Sequence, residues 1–82
     1  MKKQIAKKTI ILYVLIALKK GSTRERPVSQ TSIAKVLNMI GVECDRKTVG
    51  RNIGYLIDFG CPIIKLNGKY YYKNEDDTMF NF

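Results

Sequence analysis

The chain contains no histidine and no tryptophan, only two cysteines and two prolines, and seven acidic residues against fifteen basic ones. Without histidine there is no imidazole general base, no Ser-His-Asp relay and no histidine-containing metal site. Cys44 and Cys61 stand outside any metal-ligand spacing. With a helix between them they would lie roughly 25 Å apart at 1.5 Å per residue, whereas a disulfide needs Cα atoms within about 7 Å. Both are therefore read as reduced thiols used as small apolar residues, as expected of a cytoplasmic chain. No paired acids, activated nucleophile or phosphate-cradling loop is found, so neither enzymatic activity nor a cofactor or metal is expected. The shortage of acids leaves a net charge of +8 and a pI of 9.7. That balance points to a polyanionic partner, either nucleic acid or an anionic membrane.

What the sequence does contain is an ordinary globular composition, 45% apolar and 27% charged over 82 residues. The length allows one domain, and a domain of this size buries only about 60% of the surface its unfolded chain exposes. The charge is uneven: residues 1–53 carry a balance of +9 and residues 54–82 one of −1. The folded domain is placed at 1–74, with 75–82, opening on Glu75-Asp76-Asp77, as a C-terminal tail or linker. The N-terminus imitates a secretory signal, with Lys2, Lys3, Lys7 and Lys8 ahead of an apolar run from Ile10 to Leu18. The small-x-small cleavage site is missing and the run is far shorter than the ~20 residues needed to cross a bilayer. A buried amphipathic helix is the better reading, with no membrane partner.

That first helix is expected from about Gln4 to Lys20, ending at Gly21 with Lys19 and Lys20 at the negative end of its dipole. Ile10, Val14, Ala17 and Leu18 line one face, while Ile11, Leu12, Leu15 and Ile16 cover much of the rest. A helix apolar nearly all round needs burial on two sides. The second face is expected to meet another copy of the chain or a further C-terminal domain. Residues 22–28 read as a loop with a short strand at Pro27-Val28. Ser29 is suited to be the N-cap of a second helix on Ile33, Val36, Leu37 and Ile40, stopped by Gly41. Asp45 is the N-cap of a third, carried by Val49, Ile53, Leu56 and Ile57, with Phe59 at its apolar end and Gly60 as the stop. Two β-rich runs, Pro62–Leu66 and Lys69–Lys73, flank Asn67-Gly68, the strongest short-range hairpin signal, and make a wing at 62–73. This order gives an α+β fold, a winged helix-turn-helix of three helices followed by a two-stranded β-hairpin wing.

The run Val42-Glu43-Cys44-Asp45-Arg46-Lys47-Thr48-Val49-Gly50-Arg51-Asn52-Ile53, continued by Leu56, Gly60, Pro62 and Tyr70-Tyr71-Tyr72, resembles the N-terminal DNA-binding domain of the WYL-domain (DeoR-like) bacterial transcriptional regulators. That family's recognition helix reads [DE]RKTV-x-RDI-x-x-L-x-x-x-G, and Pro27-Val28-Ser29-Gln30 matches its entry into the second helix. The resemblance spans roughly Lys8 to Lys73. Asn52 departs from it, standing where the family has Asp. It implies sequence-specific binding of double-stranded DNA in transcription, in a bacterium or phage, at the nucleoid. Ligand sensing is not implied, because no WYL effector domain lies within these residues. On this resemblance the chain is expected to be a stand-alone regulator or the DNA-binding part of a larger, effector-responsive one.

At about 100° per residue the face opposite Val49, Ile53 and Leu56 carries Lys47, Gly50, Arg51, Gly54 and Asp58, flanked by Arg46, Thr48 and Tyr55. Arg46, Lys47, Thr48, Gly50, Arg51 and Tyr55 are the expected major-groove contacts, with Arg51 suited to guanine O6 and N7. Gly50 and Gly54, each costing about 1 kcal/mol inside a helix, suggest close approach to DNA or to another helix. Ser29, Gln30 and Thr31 open the second helix, where backbone N–H groups suit a phosphate. Lys65 and Lys69 flank the wing turn and suit the DNA backbone. Two rivals are retained. One is a protein-protein interaction module acting through helix one, and the weaker is RNA binding.

Overall fold

The structure is a computed structural model that describes residues 9–73. The expected helix start at Gln4, the four N-terminal lysines and the tail at 75–82 lie outside the described residues. The described elements are α1 (Ile10–Gly21), α2 (Gln30–Met39), α3 (Arg46–Phe59), β1 (Ile63–Leu66) and β2 (Lys69–Tyr72). Three helices followed by one antiparallel two-stranded sheet make an α+β fold with winged helix-turn-helix topology. Among the described residues no helix is long and apolar enough to cross a membrane.

In α1, Ile10, Val14 and Leu18 recur every four residues and are buried, the last two with no exposed surface. Ile11, Tyr13, Leu15 and Ala17 are half-buried against the same core. Only Leu12 (57% exposed) and Ile16 (51%) stand clear, so the expected second apolar face narrows from four residues to two. Gly21 is the last helical residue rather than the stop. The helix ends on Ser22, which the sequence places in a loop but which is buried. Its Oγ donates to the Leu18 carbonyl (2.7 Å) and accepts from the Tyr72 amide (3.0 Å), tying α1 to the hairpin.

Ser29 caps α2 as expected, its hydroxyl oxygen accepting from the Ser32 amide at 3.1 Å. The buried face, however, is Ile33, Ala34 and Leu37, and Val36 and Ile40 of the expected stripe are exposed. The reason is geometric. The helix touches α1 and α3 together, so its buried arc spans Ile33, Leu37 and Ala34 and Val36 falls outside it, while Ile40 lies past the last helical residue, Met39, as the C-cap. α2 closes with the Val42 amide on the Leu37 carbonyl (2.8 Å) and the Gly41 amide on the Asn38 carbonyl (3.1 Å), the paired bonds of a Schellman stop, with Val42 buried behind them. Asn38 then fixes the turn into α3, its Nδ2 donating to the Ala34 and Cys44 carbonyls.

Asp45 Oδ1 accepts from the Thr48 amide at 2.8 Å, capping α3. Val49, Ile53 and Leu56 are buried as expected, whereas Ile57 and Phe59 are exposed, the inward arc being turned toward buried Asn52 and away from Ile57. Asn52 joins the buried face, its Nδ2 satisfied by the Thr48 carbonyl at 2.8 Å. In the hairpin, Asn67 (φ 52°) and Gly68 (φ 79°) occupy the left-handed region at both central positions of a two-residue turn. They set the register Ile63↔Tyr72 to Leu66↔Lys69. Tyr70 and Tyr72 face the core and Tyr71 is half-buried. The expected strand at Pro27-Val28 is a single bridge, Val28 exchanging two 2.7 Å bonds with Tyr70 on the second edge of β2.

Ser22→Ala removes the acceptor for a buried Tyr72 amide and is expected to cost about 1–3 kcal/mol. Denaturant unfolding of the variant measures this, and an unchanged midpoint would show that the hairpin holds to α1 without it.

Candidate nucleic-acid interface

α3 is held by its inner residues, so its outer face follows from the helical repeat. Arg46, Lys47, Arg51, Gly54, Tyr55 and Asp58 are exposed, and Thr48 is half-buried. Arg46, Lys47 and Arg51 lie in the N-terminal part of the helix and Asp58 toward its C-terminal end, so the positive charge on this face is concentrated at one end. The Asp45 carboxylate beside them is occupied as a cap, and its bonds from Thr48 hold it below the usual carboxylate range.

Gly50 is half-buried and is not part of the open face. A Cβ there would fall 2.5 Å from Gln30 Nε2. The close approach anticipated for this glycine is thus to α2. Gly54 faces open space, where an added Cβ would meet nothing within 4 Å.

Gln30 is engaged at both ends of its amide. Nε2 donates to the Arg46 carbonyl at 2.9 Å, and Oε1 accepts from the Tyr70 hydroxyl at 3.2 Å. Ser29, which the sequence also offers as a phosphate contact, has its hydroxyl taken up within the cap, accepting from the Ser32 amide and donating to Ser32 Oγ. Thr31 is exposed beside them.

Lys65 and Lys69 are both exposed on the wing. Lys65 pairs across the hairpin with Tyr70, its ammonium 5.9 Å from the ring centroid. Cross-strand partners share a face of the sheet, so Lys65 lies on the face that carries Tyr70. Tyr70 reaches Gln30, and Gln30 reaches the first turn of α3. The N-terminus of α2, the N-terminal turn of α3 and the wing therefore meet in one cluster. The sequence supplied each piece separately and missed Tyr70 as their link. Its signal was the alternation Tyr70-Tyr71-Tyr72, which places the first and third rings inward.

Neither cysteine belongs to this surface chemistry. Burial pushes both thiols up from their ordinary value, with Asp45 adding to the effect on Cys44 and Lys19 opposing it on Cys61.

Comparison of the chain with protein-family models, curated proteins and solved structures finds no match.

The lowered Asp45 value has a pH signature. A carboxylate with a depressed folded-state pKa contributes stability that is present above its unfolded value of 3.8 and is lost as pH falls through the folded value. The melting temperature of the wild type should therefore fall on acidification through the carboxylate range. Part of that fall should vanish in Asp45→Asn, which keeps a capping oxygen without the titration. Identical acid profiles for the two proteins would remove Asp45 from the account.

Proposed function

We propose that the chain is a sequence-specific double-stranded DNA-binding protein acting in transcriptional regulation, with α3 in the major groove and the wing on the DNA backbone. The observation that carries this reading is the placement of Arg46, Lys47 and Arg51 together on the exposed N-terminal half of α3, in a fold with winged helix-turn-helix topology. The resemblance of residues 42–53 to the recognition segment of WYL-domain regulators supports the same reading, as does the net charge of +8. In this arrangement Arg51 reads a guanine edge, Lys47 and Arg46 bind phosphate or neighbouring bases, and Thr48 and Tyr55 flank them. Lys65, Lys69 and Thr31 add backbone contacts that position the helix without reading sequence. The setting is the bacterial or phage nucleoid.

A homodimer through α1 belongs to the same proposal. It is supported by exposed Leu12 and Ile16 and by an apolar groove of about 280 Å³ beside them, lined by Ile16, Ala17, Val28, Ile33 and Val36 among others. Two copies related by a twofold axis would present two recognition helices to two half-sites.

Duplex binding across a salt series tests the first part. The logarithm of affinity should fall linearly with the logarithm of salt concentration. Lys47→Ala should reduce that slope by about one and weaken all duplexes alike. Arg51→Ala should cost about 1–3 kcal/mol on the selected sequence and relax preference at one position. Wild-type affinity retained by both variants would rule out the groove assignment. Light scattering over a concentration series tests the dimer. Leu12→Glu should yield monomer, and a wild type monomeric at high concentration would leave α1 to a different partner.

A further inference from the structure

We infer that Gln30 is a positioning residue for sequence discrimination, coupling the wing to the first turn of α3 rather than touching DNA itself. This rests on the DNA-binding reading above. Three observations carry it. Gln30 Nε2 donates to the Arg46 carbonyl at 2.9 Å. The Tyr70 hydroxyl donates to Gln30 Oε1 at 3.2 Å. Position 50, one turn along α3, is the glycine whose Cβ would stand 2.5 Å from that same Nε2 and 2.9 Å from the amide carbon.

The geometry is self-consistent. The Arg46 carbonyl is the one the helix offers to the amide at Gly50, so Gln30 takes its remaining acceptor site at the point where the glycine leaves room. One N–H of Nε2 and one acceptor site of Oε1 are committed to these bonds, so the amide is anchored at both ends within the fold. The residue that closes the link, Tyr70, is buried, lies in β2, and is bonded on its backbone to Val28 just before α2. A displacement of the wing therefore reaches the backbone of Arg46 through two side-chain hydrogen bonds. Arg46 and Lys47 open the basic face, and small errors in placing such groups cost discrimination while leaving charge attraction intact.

The test compares Gln30→Ala, Tyr70→Phe and Gly50→Ala with wild type on two duplexes of equal length, the sequence selected by the wild type and an unrelated one. The ratio of the two affinities should fall about tenfold in each variant, the scale of one lost hydrogen bond. The affinity for the unrelated duplex and its salt slope should not change. Gln30→Ala/Tyr70→Phe should be no worse than Gln30→Ala, because both remove one link. In the free protein, Tyr70→Phe should shift the backbone amide resonance of Lys47, which adjoins the Arg46 carbonyl.

Loss of discrimination in Gln30→Ala with full discrimination in Tyr70→Phe would make Gln30 a direct DNA contact and overturn the proposal, as would full discrimination in both. Wild type binding no duplex in a salt-dependent way would overturn the DNA-binding reading and with it the proposed role. The Lys47 resonance would then still decide whether the physical link exists, and an unmoved resonance would remove that too.

Discussion

Every element of this fold is too short to stand alone, and each is held by burying one face in the core built around α1. Val14 and Leu18 have no exposed surface, and neither does Val49 opposite them on α3. Helices of 10 to 14 residues are marginal in water by themselves, and an isolated two-stranded hairpin is no better. Packing on a common core is what makes them persist. The constraint fixes orientation as well as existence. Once Val49, Ile53 and Leu56 are committed inward, the helical repeat leaves Lys47 and Arg51 outward with no further choice. The polar groups drawn inside, Ser22 and Asn52, each find a partner, and among the described residues no buried side-chain polar atom is left without one.

This explains which features were legible in the sequence. Caps, stops and the hairpin turn are local chemistry, and Ser29, Asp45, Gly41, Gly60 and Asn67-Gly68 sit where their side chains or torsions demand. The expected contents of the buried faces failed where the width of the neighbouring surface decides burial. Val36 satisfies the helical template but lies outside the arc that α1 and α3 define together, and Ile40 lies past the end of the helix. Ile57 and Phe59 continue the apolar pattern of α3 yet are exposed. Periodicity reports that a face is apolar; it does not report how wide the neighbour is.

The candidate site was legible in its charges and opaque in its connections. Arg46, Lys47 and Arg51 could be placed on one face by angle alone. Gln30, Ser29 and Gly50 were equally well placed by sequence as contacts, yet the first two have their side-chain polar groups engaged within the fold and the third is a clearance for Gln30. Ser29 is taken up by its own local cap on Ser32, whereas for Gln30 and Gly50 the difference lies in bonds between residues 16 and 40 positions apart, Gln30 to Arg46 and Gln30 to Tyr70. No local pattern encodes such a pairing. Ser22 was missed for the same reason, since its partner Tyr72 lies 50 residues away.

Gly50 shows how the levels depend on one another. A glycine in a helix interior costs about 1 kcal/mol relative to alanine, so its presence needs a compensating gain. A small gain is available where the missing methyl admits the Gln30 amide to an α3 carbonyl, because a net intramolecular hydrogen bond, even an exposed one such as this, contributes on the order of 0.5–1.5 kcal/mol. The two terms nearly cancel in stability. What survives the cancellation is geometry: α2, α3 and the wing are held at one mutual placement that hydrophobic packing alone, being non-directional, would not specify. A small core supplies cohesion cheaply and direction poorly, and directed polar bonds at the edge of that core, where the proposed interface begins, supply the placement it cannot.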